Sequence, residues 1–145
     1  MLEPTEEAKK ELLNFYNASF PKSQWDFEKI SSFFDKENKG ICFVIKSSSK
    51  LFGFSMGKLY KNRKDIFVLS SLFVSSELRG NGYAKKLIEI FSQEAFFDKN
   101  IKKIILHFRD SNNLQNFYEK VGFINHCIDG EYKNREKKHY MEMLK

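Results

Sequence analysis

Residues 79–85, R-G-N-G-Y-A-K, have the residue types and the spacing of an anion-binding loop. Gly80 and Gly82 remove side chains at positions where backbone N–H groups must face a ligand. The helix predicted to follow would point the positive end of its dipole at the same place, and Arg79 adds a fixed positive charge beside it. The chemistry predicted for this loop is therefore the binding of phosphate groups.

The loop lies between a predicted strand and a predicted helix. Residues 66–74 are β-branched, aromatic or Leu apart from Ser70 and Ser71, which is typical of a strand largely buried in a sheet. Beyond the loop, apolar residues recur with the helical period, at Ala84, Leu87, Ile88, Phe91 and Ala95. The sequence does not fit two other kinds of phosphate-binding loop. The dinucleotide-binding motif needs a third glycine where this chain has Lys85, and the P-loop motif is absent.

The rest of the sequence predicts a single domain, residues 1–145, of mixed α/β (α+β) class. Pro4 and Thr5 favour the start of a first helix, whose apolar face includes Leu12 and Tyr16, and a second helix is predicted from about Asp26. Strands are predicted at 41–46, 51–60, 101–109, 123–128 and 139–144, a short helix at 112–121, and a charged loop at 129–138. The element order is therefore α-α-β-β-β-α-β-α-β-β.

Composition and charge narrow the class of protein. The net charge of +6 suits an anionic ligand, and a solvated lysine-rich surface explains it equally well. No apolar run approaches the ~20 residues of a membrane span, and the acidic, polar N-terminus is unlike a signal peptide, so no membrane partner and a cytoplasmic location are predicted. Cys42 and Cys127 are predicted to be buried free thiols, and no Cys/His cluster has metal-ligand spacing.

Two segments give the chain a resemblance to the GNAT superfamily of N-acyltransferases. Residues 79–84 fit R-x-x-G-x-[GA], the acyl-CoA pyrophosphate signature of that family, and residues 72–74 match its L-x-V strand end. Residues 116–123, N-F-Y-E-K-V-G-F, resemble its F-Y-E-K-x-G-F segment. Both motifs occur in the family's order, so the resemblance covers residues 40–145 and implies a mostly antiparallel sheet, flanked by helices, with splayed central strands.

The resemblance implies a binding site for acetyl-CoA as cosubstrate. Backbone amides of the loop would hold the CoA pyrophosphate, and pantetheine would bond the preceding strand end as an added strand does. A strand N–H there would polarise the thioester carbonyl. The residues predicted to bind the cosubstrate are Leu72, Phe73, Val74, Arg79, Gly80, Asn81, Gly82, Tyr83, Ala84, Lys85, Ser111, Asn112 and Tyr118.

Tyr118 matches the family tyrosine that faces the sulfur of CoA, and it is predicted to be the general acid. A phenol with a pKa of about 10 can donate a hydrogen bond or a proton to a departing thiolate. The alternative is a core aromatic on the short helix, packed against Leu114 or Phe117.

The general base is predicted to be His107. Many relatives carry a carboxylate where this chain has Ser70 and Ser71, which cannot act as bases at neutral pH. Enzymes of the family that acetylate protein N-termini instead have Glu in an L-E-V-R-x-S-N segment. Residues 106–112, L-H-F-R-D-S-N, resemble that segment and put His107 at the place of the Glu. The alternative is a hydrogen-bonded strand histidine.

The same resemblance makes Asn112 the counterpart of the family's cofactor-contacting Asn. The predicted helix between Asn112 and Tyr118 is one residue shorter than in that pattern, so Ser111 is an alternative counterpart. Tyr132, in the charged loop, is a candidate for lining the acceptor site, with a solvated loop as the alternative.

The resemblance implies acetyl transfer from acetyl-CoA to a primary amine by direct attack in a ternary complex, since no Cys lies at a motif position to carry the acyl group. The acceptor would be a protein N-terminus, a lysine or a small amine, and the protein a monomer or homodimer. One alternative is a non-catalytic acyl-CoA-binding or regulatory domain, which the missing strand carboxylate favours. A second is a nucleic-acid-binding module, which nothing beyond the charge favours and which is not predicted.

Overall fold

Four helices and six strands follow one another in the chain, which the computed structural model describes in full, residues 1–145. They are α1 (Glu6–Ser19), α2 (Phe27–Phe33), β1 (Ile41–Ser47), β2 (Lys50–Leu59), β3 (Ile66–Val74), α3 (Tyr83–Phe97), β4 (Lys103–Arg109), α4 (Gln115–Lys120), β5 (Ile124–Glu131) and β6 (Lys137–Leu144). None of the helices combines the length with the apolar character that a membrane crossing requires.

The first two helices begin where the sequence predicts. Thr5 is the N-cap of α1, and its side chain accepts a hydrogen bond from the Ala8 N–H at 3.1 Å. Asp26 caps α2 in the same way and accepts from the Lys29 N–H at 2.8 Å. Each cap satisfies one of the N–H groups that a helix start leaves without an intrahelical partner.

The strands form one sheet in the order β1-β2-β3-β4-β6-β5, and only β3 and β4 run parallel. That parallel pairing covers three residues of β3, from Ile66 to Val68. Beyond it β3 stays paired with β2 as far as Val74, and β4 stays paired with β6 as far as Arg109. The C-terminal ends of the two central strands therefore diverge. The predicted fold class, a mostly antiparallel mixed sheet with splayed central strands, is confirmed.

A β-bulge marks the point at which β3 leaves β4. Met56 of β2 pairs with Ser71 and Gly57 pairs with Leu69, so Ser70 is the extra residue. The Ser70 hydroxyl donates a hydrogen bond to the Met56 carbonyl at 3.1 Å. A bulge bends its strand and increases the local twist, which is a physical reason for the splay to begin just after Val68.

The helices cover both faces of the sheet. Phe54 and Met56 of β2 pack in an apolar cluster with residues of α1 and α2. Ser55, between them, points the other way and donates a hydrogen bond to the Leu87 carbonyl of α3 at 3.2 Å. Because side chains alternate along a strand, α1 and α2 lie on one face and α3 on the other. The larger cluster, on the α3 face, includes Phe67, Phe91, Leu106, Phe108, Tyr118 and Phe123.

Three predictions about the C-terminal half are wrong in detail. The helix predicted from residue 112 begins at Gln115, because Asp110–Asn112 forms a 3₁₀ turn and Asn113 follows it with φ of 49°. The charged loop predicted at 129–138 is shorter, because β5 and β6 extend into it and only residues 132–136 lie between them. Charged side chains are compatible with strand pairing where a strand faces solvent. Cys42 is buried as predicted, but Cys127 is exposed because β5 is the edge strand.

Candidate active site

The glycines of the predicted anion loop adopt the left-handed backbone conformation, with φ of 81° at both Gly80 and Gly82. A Cβ added at either position would meet no atom within 4 Å, so the backbone conformation and not crowding favours glycine here. Gly82 is the N-cap of α3, and no side chain caps this helix, in contrast to α1 and α2. The first N–H groups of a 15-residue helix are thus left for a ligand.

Side-chain hydrogen bonds hold the loop in this shape. The Arg79 Nε donates to the Val74 carbonyl at 2.9 Å, and its guanidinium lies 5.5 Å from the centroid of the Phe73 ring. The Asn81 amide donates to the Leu78 carbonyl at 3.1 Å. The loop is therefore fastened to the end of β3, and its N–H groups are preorganised for an anion such as a pyrophosphate.

An apolar cavity leads from the loop into the splay between β3 and β4. It has a volume of about 270 Å³ and is lined by Leu72, Phe73, Val74, Arg79, Ala84, Leu114, Phe117 and Tyr118. Its walls are the end of β3, the start of α3 and the face of α4. An apolar channel beside a phosphate site fits the pantetheine arm of CoA, so the residues present suit the cosubstrate that the resemblance implies.

A second cavity, the inner cavity, continues from the first on the other side of Tyr118. It has a volume of about 380 Å³ and is lined by Tyr16, Phe20, Ser23, Ser70, Ser71, Leu72, His107, Phe108, Arg109, Asn112, Leu114, Tyr118 and Tyr132. Leu72, Leu114 and Tyr118 line both cavities. Tyr118 therefore stands at the junction of the two.

Tyr118 is nearly buried, with 7% of its surface exposed. Its ring packs against Phe108 and Phe123, with centroids 5.6 Å and 5.7 Å away. Burial alone raises the pKa of its phenol to about 12, without any hydrogen bond from the protein. The ring thus belongs to the core, as the alternative held, while the hydroxyl stays protonated throughout the neutral range and is available as a donor.

His107 lines the inner cavity and pairs with a carboxylate that the sequence did not indicate. Its Nε2 lies 3.0 Å from the Asp129 Oδ2. The register explains the pairing: His107 faces Tyr140 across β4–β6, Tyr140 faces Cys127 across β6–β5, and Asp129 is two residues farther along the same face. In the tautomer whose Nε2–H donates to Asp129, the Nδ1 lone pair is left to accept a proton.

The two alternatives for the cofactor-contacting residue have different surroundings. Asn112 lines the inner cavity. Ser111 instead donates its N–H to the Glu136 Oε1 at 2.7 Å, and neither Ser111 nor Asn112 lines the predicted CoA channel. Tyr83 and Lys85 line none of these cavities; they lie on the exposed first turn of α3.

A third cavity, the outer cavity, opens from the inner one at the tip of the β5–β6 hairpin. It has a volume of about 620 Å³ and is lined by Lys22, Ser23, Arg109, Ser111, Tyr132, Lys133, Asn134 and Glu136. Ser23, Arg109 and Tyr132 line both the inner and the outer cavity. Tyr132, a candidate from the sequence, thus lies in the cleft, whereas Arg109 was given no function there by the sequence.

The sequence also did not predict that α1 lines the inner cavity. Tyr16 counted only as part of the apolar face of α1, yet it lines the cavity beside the two serines of β3. Burial raises the pKa of Tyr16, and hydrogen bonding to Ser71 and Trp25 opposes that shift. No group of three or more His, Cys, Asp or Glu side chains in the structure is placed to hold a metal ion.

Comparison with protein families gives a match to the acetyltransferase (GNAT) family over residues 8–123, while no curated protein sequence matches. An aminoglycoside 6'-N-acetyltransferase complexed with coenzyme A superposes with a TM-score of 0.78 at 16% identity, over 99% of this chain and 94% of that one. The ribosomal-protein-S18-alanine N-acetyltransferase from Escherichia coli gives 0.75 at 18%, over 99% and 90%. A spermidine N-acetyltransferase from Vibrio cholerae gives 0.72 at 21%, over 97% and 91%.

The splayed sheet, the uncapped α3 and the channel between them form a site that fits an acyl-CoA. At such low identities the solved structures establish the fold alone. The family match spans most of the chain, and the chain belongs to the acetyltransferase (GNAT) family. The resemblance is thereby confirmed, and so is the class of enzyme it implied, an acetyl-CoA-dependent N-acetyltransferase.

Proposed function

We propose that residues 1–145 form one catalytic domain that acetylates a primary amine by direct attack in a ternary complex. The observation that carries the proposal is the continuous cleft between β3 and β4. At one end lies the uncapped N-terminus of α3, at the other the His107–Asp129 pair, and Tyr118 stands between them. One ligand can therefore enter from each side and meet at the tyrosine.

The loop and the end of β3 would hold the cosubstrate. Backbone N–H groups of residues 80–84 are free to bind its pyrophosphate, with the positive end of the α3 dipole behind them. Leu72, Phe73 and Val74 form one wall of the channel for the pantetheine arm. When bound, acetyl-CoA supplies the thioester: its C–S bond breaks as the amine nitrogen forms the new C–N bond.

His107 and Tyr118 are the residues that we assign to proton transfer. The attacking nitrogen loses a proton, which Nδ1 of His107 accepts directly or through one water molecule while Asp129 holds the opposite ring nitrogen. The sulfur gains a hydrogen bond or a proton from the Tyr118 hydroxyl, whose raised pKa keeps it protonated beforehand. One proton leaves the nitrogen for His107 and one reaches the sulfur from Tyr118, and return of the His107 proton to the Tyr118 phenolate through solvent restores both residues, so the protons balance.

A non-catalytic acyl-CoA-binding domain is the second candidate, and one observation favours it. Ser70 and Ser71 occupy the part of β3 that faces the inner cavity, and the Ser70 hydroxyl is engaged with the Met56 carbonyl. Neither residue offers a base. Under this candidate His107 and Tyr118 would be structural, and CoA would bind without turnover.

The test that separates the two candidates is thiol release from acetyl-CoA with a panel of primary amines and N-terminal peptides, combined with calorimetric CoA binding on the same sample. Binding with turnover supports the enzyme. Binding without turnover on any amine supports the regulatory candidate, and no CoA binding contradicts both. The acceptor, the cytoplasmic location and the choice between monomer and homodimer stay predictions.

A further inference from the structure

The acceptor side of the cleft is basic. Lys22, Arg109 and Lys133 line the outer cavity, and Glu136 is the one carboxylate among its lining residues. The inner cavity has no Asp or Glu in its lining, and the nearby carboxylate of Asp129 is paired with the His107 ring at 3.0 Å. A polycation such as a polyamine would meet like charges along this path, which lowers its affinity and slows its approach.

The carboxylate of Glu136 is already satisfied by the protein. It accepts the Ser111 N–H at 2.7 Å and lies 3.4 Å from both the Asn134 Nδ2 and the Arg109 Nη1. Hydrogen bonds from Ser111 are the main cause that lowers the pKa of Glu136 to about 2. The carboxylate of Glu136 therefore links the 3₁₀ turn to the hairpin tip. Because its negative charge is compensated by these donors, it attracts an ammonium group only weakly.

The Arg109 side chain is held in place, but only part of its hydrogen-bonding capacity is satisfied by the protein. Its guanidinium carbon lies 3.9 Å from the centroid of the Tyr132 ring, a stacked cation–π contact. Only Nη1 makes hydrogen bonds, to Asn134 and Glu136, each at 3.4 Å. The Nε and Nη2 donors have no partner in the protein, and the side chain lines both the inner and the outer cavity. A guanidinium fixed in this way is preorganised for an anion.

We propose that the acceptor is a primary amine whose molecule also carries a carboxylate or phosphate, and that Arg109 binds this anion. The inference rests on the proposed function, because it names the substrate class of the same site. Arg109 is two residues beyond His107 on β4, so both side chains leave the same face of the strand about 6.6 Å apart. An amine at His107 and an anion at Arg109 would therefore be separated by a few bonds.

Two kinds of molecule have this chemistry, an acidic amino acid and the N-terminus of an acidic peptide. Lys22 and Lys133 lie farther out and are exposed, so they would add attraction for a longer anionic chain. Arg109 and the base act on different parts of the acceptor, which makes Arg109 a specificity residue and not a catalytic one.

The experiment uses two acceptor series with the wild-type enzyme. The first compares glutamate with glutamine amide and with spermidine. The second compares three tripeptide amides that begin with alanine and continue with two glutamates, two glutamines or two lysines. We expect kcat/KM to be highest for the acidic member of one series and to fall about 10- to 100-fold for its neutral counterpart, as for the loss of a charged hydrogen bond. Added salt should raise KM for the acidic acceptor only.

The variants Arg109→Gln and Arg109→Lys separate recognition from structure. We expect Arg109→Gln to raise KM for the acidic acceptor about 10- to 100-fold, with KM for acetyl-CoA and for the neutral acceptor unchanged. Arg109→Lys should recover part of the loss, because it keeps the charge and loses the forked geometry. Arg63→Gln is the matched control, since Arg63 pairs with Asp65 in the β2–β3 turn and lines none of the three cavities.

Calorimetric binding of the acidic acceptors to the CoA-bound protein provides a readout that does not need turnover. Binding that Arg109→Gln abolishes and Arg63→Gln leaves intact supports the inference even if the panel gives no turnover, which would contradict the proposed function alone. Equal or better turnover with neutral or cationic acceptors overturns the inference and leaves the proposed function standing. An equal loss on every acceptor in Arg109→Gln also overturns it, because the residue would then be structural.

Discussion

Replacing Tyr118 by Phe removes one oxygen atom from the junction of the cavities and leaves the ring. The ring contacts with Phe108 and Phe123 are those that Phe would also make. The hydroxyl is desolvated without a protein hydrogen bond, since burial alone raises its pKa. The hydroxyl lies at the junction of two open cavities and is not among the buried polar atoms without a partner, so its removal breaks no protein contact and we expect the free energy of unfolding to change by less than about 1 kcal/mol.

The effect on catalysis is expected to be large. A positioned general acid contributes about 10²–10⁴-fold to the rate, so kcat should fall by about 100-fold or more, which is about 2.7 kcal/mol of activation free energy. The CoA affinity should stay within about threefold, because the anion loop and the strand end supply most of that binding. Stability and activity would thus be separated by a single hydroxyl.

Thermal unfolding, calorimetric CoA binding and thiol release on one preparation measure the three quantities. Tyr60→Phe is the matched control, because Tyr60 follows β2 and lines neither the CoA channel nor the inner cavity. An unchanged kcat in Tyr118→Phe would refute the general-acid assignment and leave Tyr118 as a core aromatic. A fall in kcat matched by an equal loss of CoA affinity would make it a binding residue instead.

Three further variants test other parts of the site. His107→Gln is expected to lower kcat about 100-fold at unchanged CoA affinity; wild-type rates of thiol release would leave it a strand histidine. Gly82→Asp should abolish calorimetric CoA binding, because it adds a negative charge at the anion loop and a side chain at φ of 81°. Gly130→Asp, at φ of 90° with an equally open Cβ position, is its control, and retained CoA affinity in Gly82→Asp would remove the loop assignment. For Glu136 the folded-state pKa of about 2 lies below the unfolded value. Its stabilisation is therefore present above an unfolded-state pKa of about 4.3 and lost as the pH falls below it. Melting temperatures of wild type and Glu136→Gln should differ at pH 7 and converge near pH 2, and a pH-independent difference would contradict the assignment.

The strand, loop and helix of the predicted donor half were predictable because their signals are local. Two glycines, a strand before them and an amphipathic helix after them lie within thirty residues, so the chemistry of the loop follows from neighbours in the chain. The caps of α1 and α2 are equally local, each depending on one residue and the N–H three positions on. The confirmed elements are those that short segments specify.

The acceptor half depends on residues that are distant in sequence. His107 and Asp129 meet only because β6 returns between β4 and β5, so the pair follows from a strand order and a register that no short segment contains. The stacking of Arg109 on Tyr132 has the same origin, since it needs the hairpin tip to fold back beside the end of β4. Periodicity placed Tyr16 on an apolar face but gave no sign that this face ends at a cavity.

The short parallel pairing between β3 and β4 also makes the cleft the weakest seam of the sheet. Long antiparallel ladders hold together the halves β1–β2–β3 and β4–β6–β5, whereas three residue pairs and the packing of α3 join one half to the other. Phe67 lies in this seam, buried against Phe91 and paired with Ile104. Natural variation at such positions would retune the width of the cleft, and with it the acyl group and the amine accepted, while every residue that touches substrate stays the same.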